Sequence, residues 1–266
     1  MVNRGYAICT TPRSGSNFLC DLLTSTEVLG RPTEYFNGVA CRRFEDPTYP
    51  DDPREQIRRV LTTGATANGV YALKLFPFQH DNIAKHVSWT NELPNLNFVY
   101  LERRDLLGQA ISLARALQTR SWKSSHSATA EPTYSSAGIR RCVSLLVTAS
   151  ARWAVYFARN GIEPVHLVYE DVVERPQTAV DQIATLINLR GEPAVIRNDQ
   201  VDLKKQRDTM SEEWRARFIA EHRHLDRIDN FGLVTAAAAG AKSKSSRHNG
   251  RVRPTSSQRV HSPIVS

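Results

Sequence analysis

The stretch that decides the fold is residues 8–23, which read ICTTPRSGSNFLCDLL. Its apolar start, together with residues 5–7, is typical of a buried strand. Further along, four apolar residues fall on one face of a helix: Phe18, Leu19, Leu22 and Leu23. A polar turn at residues 10–17 separates the two elements. A turn that leads from a strand into a helix presents unpaired N–H groups and the positive end of the helix dipole, so this pattern predicts an anion-binding loop.

The side chains of this loop suit an anion. Ser14, Ser16 and Asn17 offer side-chain donors, and Arg13 supplies a fixed cation. Gly15 permits the backbone to turn close to a bound group. The loop lacks the Gly-Lys-Ser/Thr ending of a Walker A loop, which counts against hydrolysis of a nucleoside triphosphate but leaves phosphate binding intact. A Ser- and Gly-rich turn that caps a helix is the alternative that the composition leaves open.

Strand-like and helix-like segments alternate along the rest of the chain. The strands are expected at residues 5–10, 70–76, 97–101 and 164–169, and long helices at 105–121, 138–160, 175–188 and 211–225. This alternation predicts an α/β fold with a central, largely parallel sheet flanked by helices. We expect Ser211 to be the N-cap of the last helix, with Trp214 near the third helical position.

The net charge of +8 is concentrated near the end of the chain. Residues 235–266 hold six Lys or Arg and no Asp or Glu, so the remainder has 29 basic and 27 acidic residues, a net charge of +2. This division predicts a single domain at residues 1–234 and a disordered, basic, Ser- and Arg-rich tail at 235–266. Because the domain is nearly neutral, we expect no nucleic-acid partner.

Several classes of protein are disfavoured by the sequence. No run approaches the ~20 apolar residues that span a bilayer, and residues 1–10 lack the apolar core of a signal peptide. The cysteines at positions 9, 20, 41 and 142 show neither CxxC pairing nor a metal-ligand spacing with histidine. We therefore expect a cytoplasmic protein with reduced thiols and no metal centre.

A second motif makes a family resemblance visible. The segment YLERRDLLGQAISLARALQ places Arg104 at a strand end and Ser112 eight residues later, inside the next helix. Together with the strand–TPRSGS–helix pattern, it resembles the sulfotransferases that use 3′-phosphoadenosine 5′-phosphosulfate (PAPS) as donor. More narrowly, GRPTEYFN (30–37), ALKLF (72–76) and RRDLLGQAISLARALQTRSW (103–122) resemble the bacterial trehalose 2-sulfotransferase family. The resemblance covers about residues 5–233.

The resemblance implies a P-loop-like sulfotransferase architecture and an enzyme that moves a sulfuryl group from PAPS to a hydroxyl of a carbohydrate or glycolipid-type acceptor. It implies that the loop at residues 10–17 cradles the 5′-phosphosulfate and that Arg104 and Ser112 hold the 3′-phosphate. It also implies a homodimer. No metal is required in principle, since sulfate carries less charge than phosphate, and charge on the leaving oxygen can be stabilised by a cation such as Arg13.

The same resemblance points to Glu34 as the general base. We expect partial burial against Tyr35 and Phe36 to raise its pKa, as a base working near neutral pH requires. Lys74 lies in an apolar strand and is expected either to contact the donor or to extend its charge from the strand end into water. Three cations of a later segment, Lys204, Lys205 and Arg207, either cover the 3′-phosphate or form a solvated face.

Two other functions stay open at this level. A P-loop-type nucleotide kinase would use VHLVYED (165–171) as a magnesium-binding strand and would bind ATP with Mg²⁺. A non-catalytic nucleotide-binding module would bind its ligand equally well without the Glu34 carboxylate.

Overall fold

Four parallel strands form the sheet at the centre of the molecule. The structure, a computed structural model, describes residues 3–122, 130–197 and 209–225. The strands are β1 (Arg4–Thr10), β2 (Val70–Leu75), β3 (Leu96–Glu102) and β4 (Val165–Val168). Their order is β2-β1-β3-β4, and every neighbouring pair is parallel. All four predicted strands and the largely parallel sheet are confirmed, with strand ends within one residue of those expected.

Helices connect the strands. Those in the described residues are α1 (Ser16–Ser25), α2 (Gly38–Phe44), α3 (Pro53–Thr62), α4 (Pro77–Ala84), α5 (Trp89–Glu92), α6 (Leu106–Thr119), α7 (Ser136–Asn160), α8 (Tyr169–Glu174), α9 (Pro176–Leu186) and α10 (Thr209–His222). The four long helices expected from the sequence are α6, α7, α9 and α10. None of the helices in the described ranges combines the length and hydropathy that a bilayer crossing needs.

Helices cover both faces of the sheet, because the strands carry apolar side chains on both faces. In β1, Tyr6 and Ile8 face a cluster that includes residues of α1 and α9, whereas Ala7 and Cys9 face a cluster that includes residues of α3, α4 and α7. All four side chains are fully buried. A parallel strand whose two faces are both apolar needs a layer packed against each face, and helices supply both layers here. The predicted α/β architecture is therefore confirmed.

A third apolar cluster joins α6, α7 and α10. Ile111, Ile139 and Trp214 lie within it, and Met210 packs against it. Because Met210 is already helical, Ser211 lies inside α10, and its prediction as the N-cap is wrong. Its hydroxyl accepts a hydrogen bond from Arg115 Nη1 (2.6 Å), which ties α10 to α6.

The strand order determines where a ligand can bind. The chain leaves β1 towards β2 on one side of the sheet and leaves β3 towards β4 on the other. The crevice at the carboxyl ends of β1 and β3 is thus a topological switch point, the usual ligand site in open α/β sheets. The predicted anion loop follows β1 at this crevice, and the ERRD segment (102–105) follows β3.

Candidate active site

The anion loop is held at its start by Thr10, which is fully buried. Thr10 Oγ1 donates a hydrogen bond to the Leu101 carbonyl oxygen of β3 (2.7 Å) and lies 2.7 Å from Ser14 Oγ. The Thr10 carbonyl oxygen accepts the indole N–H of Trp153 from α7 (2.8 Å). Ser14, which we expected to offer its hydroxyl to an anion, has a fully buried side chain in contact with Thr10. Ser16, expected in the same role, begins α1 and is buried as well.

Gln109 holds the same loop from α6. Its Nε2 donates to Thr11 Oγ1 (2.9 Å) and to the Pro12 carbonyl oxygen (2.7 Å), and the side chain is 3% exposed. The sequence analysis missed this role, since glutamine in the apolar stripe of a helix has no motif of its own. With Gln109 and Thr10 together, the loop is tied to three surrounding elements.

Gly15 is the N-cap of α1 and has φ of +85°, a conformation that glycine adopts without steric cost. A Cβ atom at this position would lie 2.0 Å from Cδ2 of the Tyr169 ring. The positive φ fits the expected tight turn, the Tyr169 ring fills the space beside Gly15, and contact of Gly15 with a bound group stays a prediction. No side chain of the described residues caps α1, so its first-turn N–H groups keep the positive end of the helix dipole.

Arg13 connects the loop to α6. Its Nε donates to Ser112 Oγ (2.9 Å) and its Nη1 to the Trp122 carbonyl oxygen (2.6 Å). Burial lowers the pKa of Arg13, and the positive charges of Arg103 and Arg115 lower it further. Three guanidinium groups that repel one another form a site that an anion would stabilise. The structure thus brings together Arg13 and Ser112, two of the predicted site residues.

Arg103 has an unsatisfied donor. Its guanidinium lies over the Tyr169 ring, 5.3 Å from the ring centroid, and its Nη1 donates to the Arg13 carbonyl oxygen (3.3 Å). Its Nε is buried and is the one side-chain polar atom of the described residues found buried without a hydrogen-bond partner. A buried donor without an acceptor is costly, and a bound anion would supply one. The sequence analysis missed Arg103 because only the next residue has the motif spacing to Ser112.

Arg104 and Ser112, expected to act together, are not in contact. Arg104 Nη2 donates to both carboxylate oxygens of Asp171 (3.0 and 3.1 Å), and its side chain is 62% exposed. Ser112 lies instead on Arg13. The reason is electrostatic, since Asp171 at the start of α8 attracts Arg104 towards solvent. Such an exposed ion pair contributes little free energy and can exchange for another anion.

The carboxylates of VHLVYED are engaged by the chain itself. Glu170 accepts the backbone N–H groups of Arg104 (3.0 Å) and Asp105 (3.1 Å), and Asp171 accepts Arg104. Within residues 3–122, 130–197 and 209–225, no group of three His, Cys, Asp or Glu side chains is placed to hold a metal ion. The observed contacts give this segment a positioning role at the end of β3.

Lys74 lies near the end of β2 and is 5% exposed. Its Nζ donates to Asn17 Oδ1 in the first turn of α1 (2.5 Å) and lies 3.0 Å from Glu34 Oε1. Burial lowers the pKa of Lys74, but the nearby carboxylate of Glu34 outweighs burial and raises it above the ordinary value. Lys74 therefore does not extend into water. Asn17, expected as a donor, accepts a hydrogen bond, so the structure brings together Asn17, Lys74 and Glu34.

The Glu34 carboxylate has two further partners. Asn37 Nδ2 and Gln79 Nε2 both donate to Oε2, each at 2.8 Å. Burial raises the pKa of Glu34, but the charge of Lys74 and these hydrogen bonds outweigh burial, so the pKa lies below the ordinary value. The expectation of a raised pKa is wrong in its direction, because Lys74, Asn37 and Gln79 surround the carboxylate with donors.

Asn37 and Gln79 were missed by the sequence analysis. Asn37 ends the GRPTEYFN motif and also caps α2 by accepting the Ala40 N–H (3.3 Å). Gln79 is 1% exposed and is fixed at its other end, where Oε1 accepts the Phe76 N–H (3.0 Å). The proximity of Asn37 to Glu34 in the motif was an available signal, whereas Gln79 lies on a helix far along the chain. Lys204, Lys205, Arg207 and the tail lie outside the described residues.

Comparison with known proteins assigns the family. Residues 5–221 match the family model described as Stf0 sulphotransferase. The chain belongs to the Stf0 sulphotransferase family. It is similar to proteins named trehalose 2-sulfotransferase from Mycobacterium tuberculosis strain Erdman (27% identical over 264 residues, 82% of this chain and 95% of the relative) and from Mycolicibacterium smegmatis (25% over 256 residues, 80% and 93%). The predicted enzyme class, a sulfotransferase, is confirmed.

Two solved sulfotransferases align with this chain at low sequence identity. A sulfotransferase from Alicyclobacillus acidocaldarius aligns with a TM-score of 0.47 and 14% identity over 83% of this chain and 93% of the other. The sulfotransferase domain of the curacin biosynthetic pathway aligns with a TM-score of 0.43 and 14% identity over 79% and 82%. The Stf0 fold assignment rests on the family match and on the sheet described above.

Proposed function

We propose that this Stf0 sulfotransferase moves a sulfuryl group from PAPS to a hydroxyl of a carbohydrate. The observation that carries the proposal is the contact chain from Asn17 through Lys74 to Glu34. It connects the start of α1, which favours an anion, directly to a carboxylate that can accept a proton. An anion site beside a base is what transfer of a charged group to an alcohol requires.

The residues at the crevice fit PAPS as the donor. The first turn of α1 and Lys74 would hold the phosphosulfate, since both offer positive potential at the carboxyl edge of the sheet. Arg13, Arg103 and Ser112 would hold the 3′-phosphate, and the buried Nε of Arg103 supports this assignment. Arg104 stays a predicted contact to the same phosphate, because its exposed side chain can exchange Asp171 for the phosphate. PAPS supplies the activated sulfuryl group.

The role proposed for Glu34 is general base. Because its pKa lies below the ordinary value, the carboxylate is ionised at neutral pH, and it is a weaker base than a carboxylate with the raised pKa that the sequence analysis expected. As the acceptor oxygen forms its bond to sulfur, the hydroxyl proton passes to Glu34. The bond from sulfur to the bridging oxygen breaks, and the charge left on that oxygen is stabilised by Lys74. Adenosine 3′,5′-bisphosphate is the other product.

Trehalose is the first acceptor to test, since both curated relatives carry trehalose 2-sulfotransferase as their name. Another sugar or a glycolipid hydroxyl is the alternative. The predicted homodimer and cytoplasmic location stay predictions. Cys9, Cys20, Cys41 and Cys142 are buried, and no disulfide joins them in the described residues.

The test uses the full chain with PAPS and trehalose, and mass spectrometry detects the sulfated sugar. In parallel, calorimetry compares adenosine 3′,5′-bisphosphate with ATP and Mg²⁺. We expect a sulfated product and bisphosphate binding that ATP does not match. Binding of Mg²⁺–ATP equal to or tighter than that of the bisphosphate would favour the kinase alternative. Binding of the bisphosphate with no transfer to any hydroxyl compound would favour the non-catalytic module.

A further inference from the structure

The Asp105 carboxylate lies between two arginines from different parts of the chain. Arg215 Nη2, from α10, donates to both carboxylate oxygens at 2.6 Å. Arg103 Nη2 lies 3.7 Å from Oδ2, within the range of an ion pair but beyond the length of a hydrogen bond. The carboxylate is therefore bonded to the arginine of the last helix and only stands near the arginine assigned to the donor.

The pair of Asp105 and Arg215 is built into the start of α6. Asp105 is the N-cap of this helix, and its Oδ1 accepts the Gly108 N–H (2.9 Å). A Cβ atom on Gly108 would clash with Asp105 Oδ2 and lie 2.6 Å from Arg215 Nη2. The absence of a side chain at Gly108 thus leaves the space that the two charged groups fill, and the position of the pair is specified by the sequence.

Arg215 is placed by the packing of α10. It follows Ser211 by about one helical turn, so both side chains face α6, where the Ser211 hydroxyl accepts Arg115 Nη1 (2.6 Å). The neighbouring Trp214 is buried in the apolar cluster that joins α6, α7 and α10. The guanidinium of Arg215 is thus held by a packed helix and not by the anion loop.

The charges around Arg103 give this arrangement a chemical consequence. The side chains of Arg103 and Asp105 are 15% and 18% exposed, so water screens their charges only in part. A carboxylate bonded to Arg103 would neutralise its charge and compete with a phosphate for the same donors. The carboxylate is bonded to Arg215 instead, and within the part of the chain that the structure describes the buried Nε of Arg103 has no acceptor.

We infer that Arg215 is a positioning residue of the donor site: it holds the Asp105 carboxylate away from Arg103 and so keeps Arg103 available to the 3′-phosphate. The inference rests on the proposed function, because the phosphate is that of PAPS. In this role Arg215 does not touch the donor and acts through Asp105. The last helix therefore contributes to donor affinity from a place in the chain far from both donor motifs.

The experiment measures the affinity of the donor site in the full chain by calorimetry. Arg215→Gln removes the charge that holds Asp105. Arg217→Gln is the matched control, since it removes the same charge from the same helix, where Arg217 is paired with Glu221 (2.9 Å). Asp105→Asn removes the carboxylate charge and keeps a capping side chain, since asparagine caps helices as well as aspartate does. The ligands are adenosine 3′,5′-bisphosphate and adenosine 5′-monophosphate, which lacks the 3′-phosphate.

We expect Arg215→Gln to raise the Kd of the bisphosphate about three- to tenfold and to leave the Kd of the monophosphate unchanged. Asp105→Asn should bind the bisphosphate at least as tightly as the wild type. Adding Arg215→Gln to Asp105→Asn should change that Kd by less than about twofold, because the competing carboxylate is already gone. Arg217→Gln should keep both wild-type values. A merely structural role of Arg215 would not give this rescue by a second substitution.

Three outcomes would overturn the inference while leaving the proposed function in place. In the first, Arg215→Gln keeps the wild-type Kd for the bisphosphate. In the second, Arg215→Gln weakens both ligands equally, or Asp105→Asn does not restore binding, which would show an effect that does not pass through Asp105. In the third, Asp105→Asn alone weakens bisphosphate binding, and this variant decides the question if Arg215→Gln does not fold. Failure of the proposed function appears separately, as a wild-type chain that neither binds the bisphosphate nor transfers a sulfuryl group.

Discussion

Lys74 Nζ lies 3.0 Å from Glu34 Oε1, and both side chains are largely removed from water. The ammonium comes from the sheet and the carboxylate from the segment before α2, so the pair links the core to the candidate base. Each group stabilises the charge of the other, which raises the pKa of Lys74 and lowers that of Glu34. The base is consequently kept ionised, and a cation is kept beside it.

Replacement of the candidate base should abolish most of the transfer activity. We expect Glu34→Gln to lower kcat by about 10²- to 10⁴-fold, the usual contribution of a general base, with little change in bisphosphate affinity. Initial rates and calorimetry measure the two effects. Glu92→Gln, in α5, is the matched control and should behave as the wild type. Full activity of Glu34→Gln would remove Glu34 from the mechanism.

Replacement of Gln79 should shift the pH profile of kcat/KM. Gln79 donates to the ionised form of Glu34, so Gln79→Leu raises the pKa of Glu34 and moves the acidic limb of kcat/KM to higher pH. The Phe76 N–H also loses its acceptor, which should lower the free energy of unfolding by about 1 kcal/mol. Gln182→Leu, on the exposed surface of α9, should leave the limb in place. A limb that stays fixed in Gln79→Leu would contradict the positioning role.

The buried ion pair should show strong coupling. Lys74→Met leaves the Glu34 carboxylate without its cation, so we expect the free energy of unfolding to fall by about 3 kcal/mol at neutral pH. Adding Glu34→Gln removes the unpaired charge, so the double variant should be more stable than the sum of the single effects predicts. Urea denaturation of the four proteins measures the coupling. Additive effects would show that the pair does not act as a unit.

Two neighbouring arginines should contribute unequally to binding of the 3′-phosphate. Arg103→Ala removes a guanidinium whose buried Nε has no hydrogen-bond partner and whose Nη2 lies 3.7 Å from Asp105 Oδ2, whereas Arg104→Ala removes an exposed guanidinium paired with Asp171. We expect Arg103→Ala to weaken bisphosphate binding by about tenfold or more and Arg104→Ala to weaken it less. Calorimetric titration at two salt concentrations gives both affinities. The opposite ranking would restore Arg104 as the principal contact, as its spacing to Ser112 predicts.

Gly15 should be intolerant of any side chain. Gly15→Ala places a methyl group in the Tyr169 ring at a position that also has φ of +85°. Gly161 has φ of +62°, and a Cβ atom added there would meet no atom within 4 Å, so Gly161→Ala isolates the backbone cost, about 1 kcal/mol. We expect Gly15→Ala to lose clearly more free energy of unfolding than Gly161→Ala. Thermal or urea denaturation compares the two variants, and equal losses would mean that the ring moves away freely.

The sheet could be predicted because its information is local. Each strand is an apolar run that ends in polar residues, and the long helices have apolar stripes. The short helices α2, α3 and α4 were not predicted, since each buries only two or three residues and some of these are polar, glycine or proline, which leaves no clear apolar stripe.

The residues that form the site could be predicted better than the contacts between them. Glu34, Lys74, Arg13 and Ser112 were all expected, but the pKa of Glu34 depends on donors from β2 and α4 that no local pattern places beside it. Likewise, the sequence analysis chose Arg104 as the phosphate contact because of its spacing to Ser112. Which arginine turns inward is decided by Tyr169 and Asp171, residues of a helix far along the chain.

The contacts of Thr10 and Gln109 have a consequence for how quickly a ligand is taken up. Hydrogen bonds from β3, α6 and α7 fix the loop within the protein alone, so the conformational entropy of these residues is lost on folding rather than on association. The loop is therefore preorganised for anion binding. Capture of an anionic donor should then be governed by diffusion and by electrostatic attraction to the arginines, and its rate should fall as salt concentration rises.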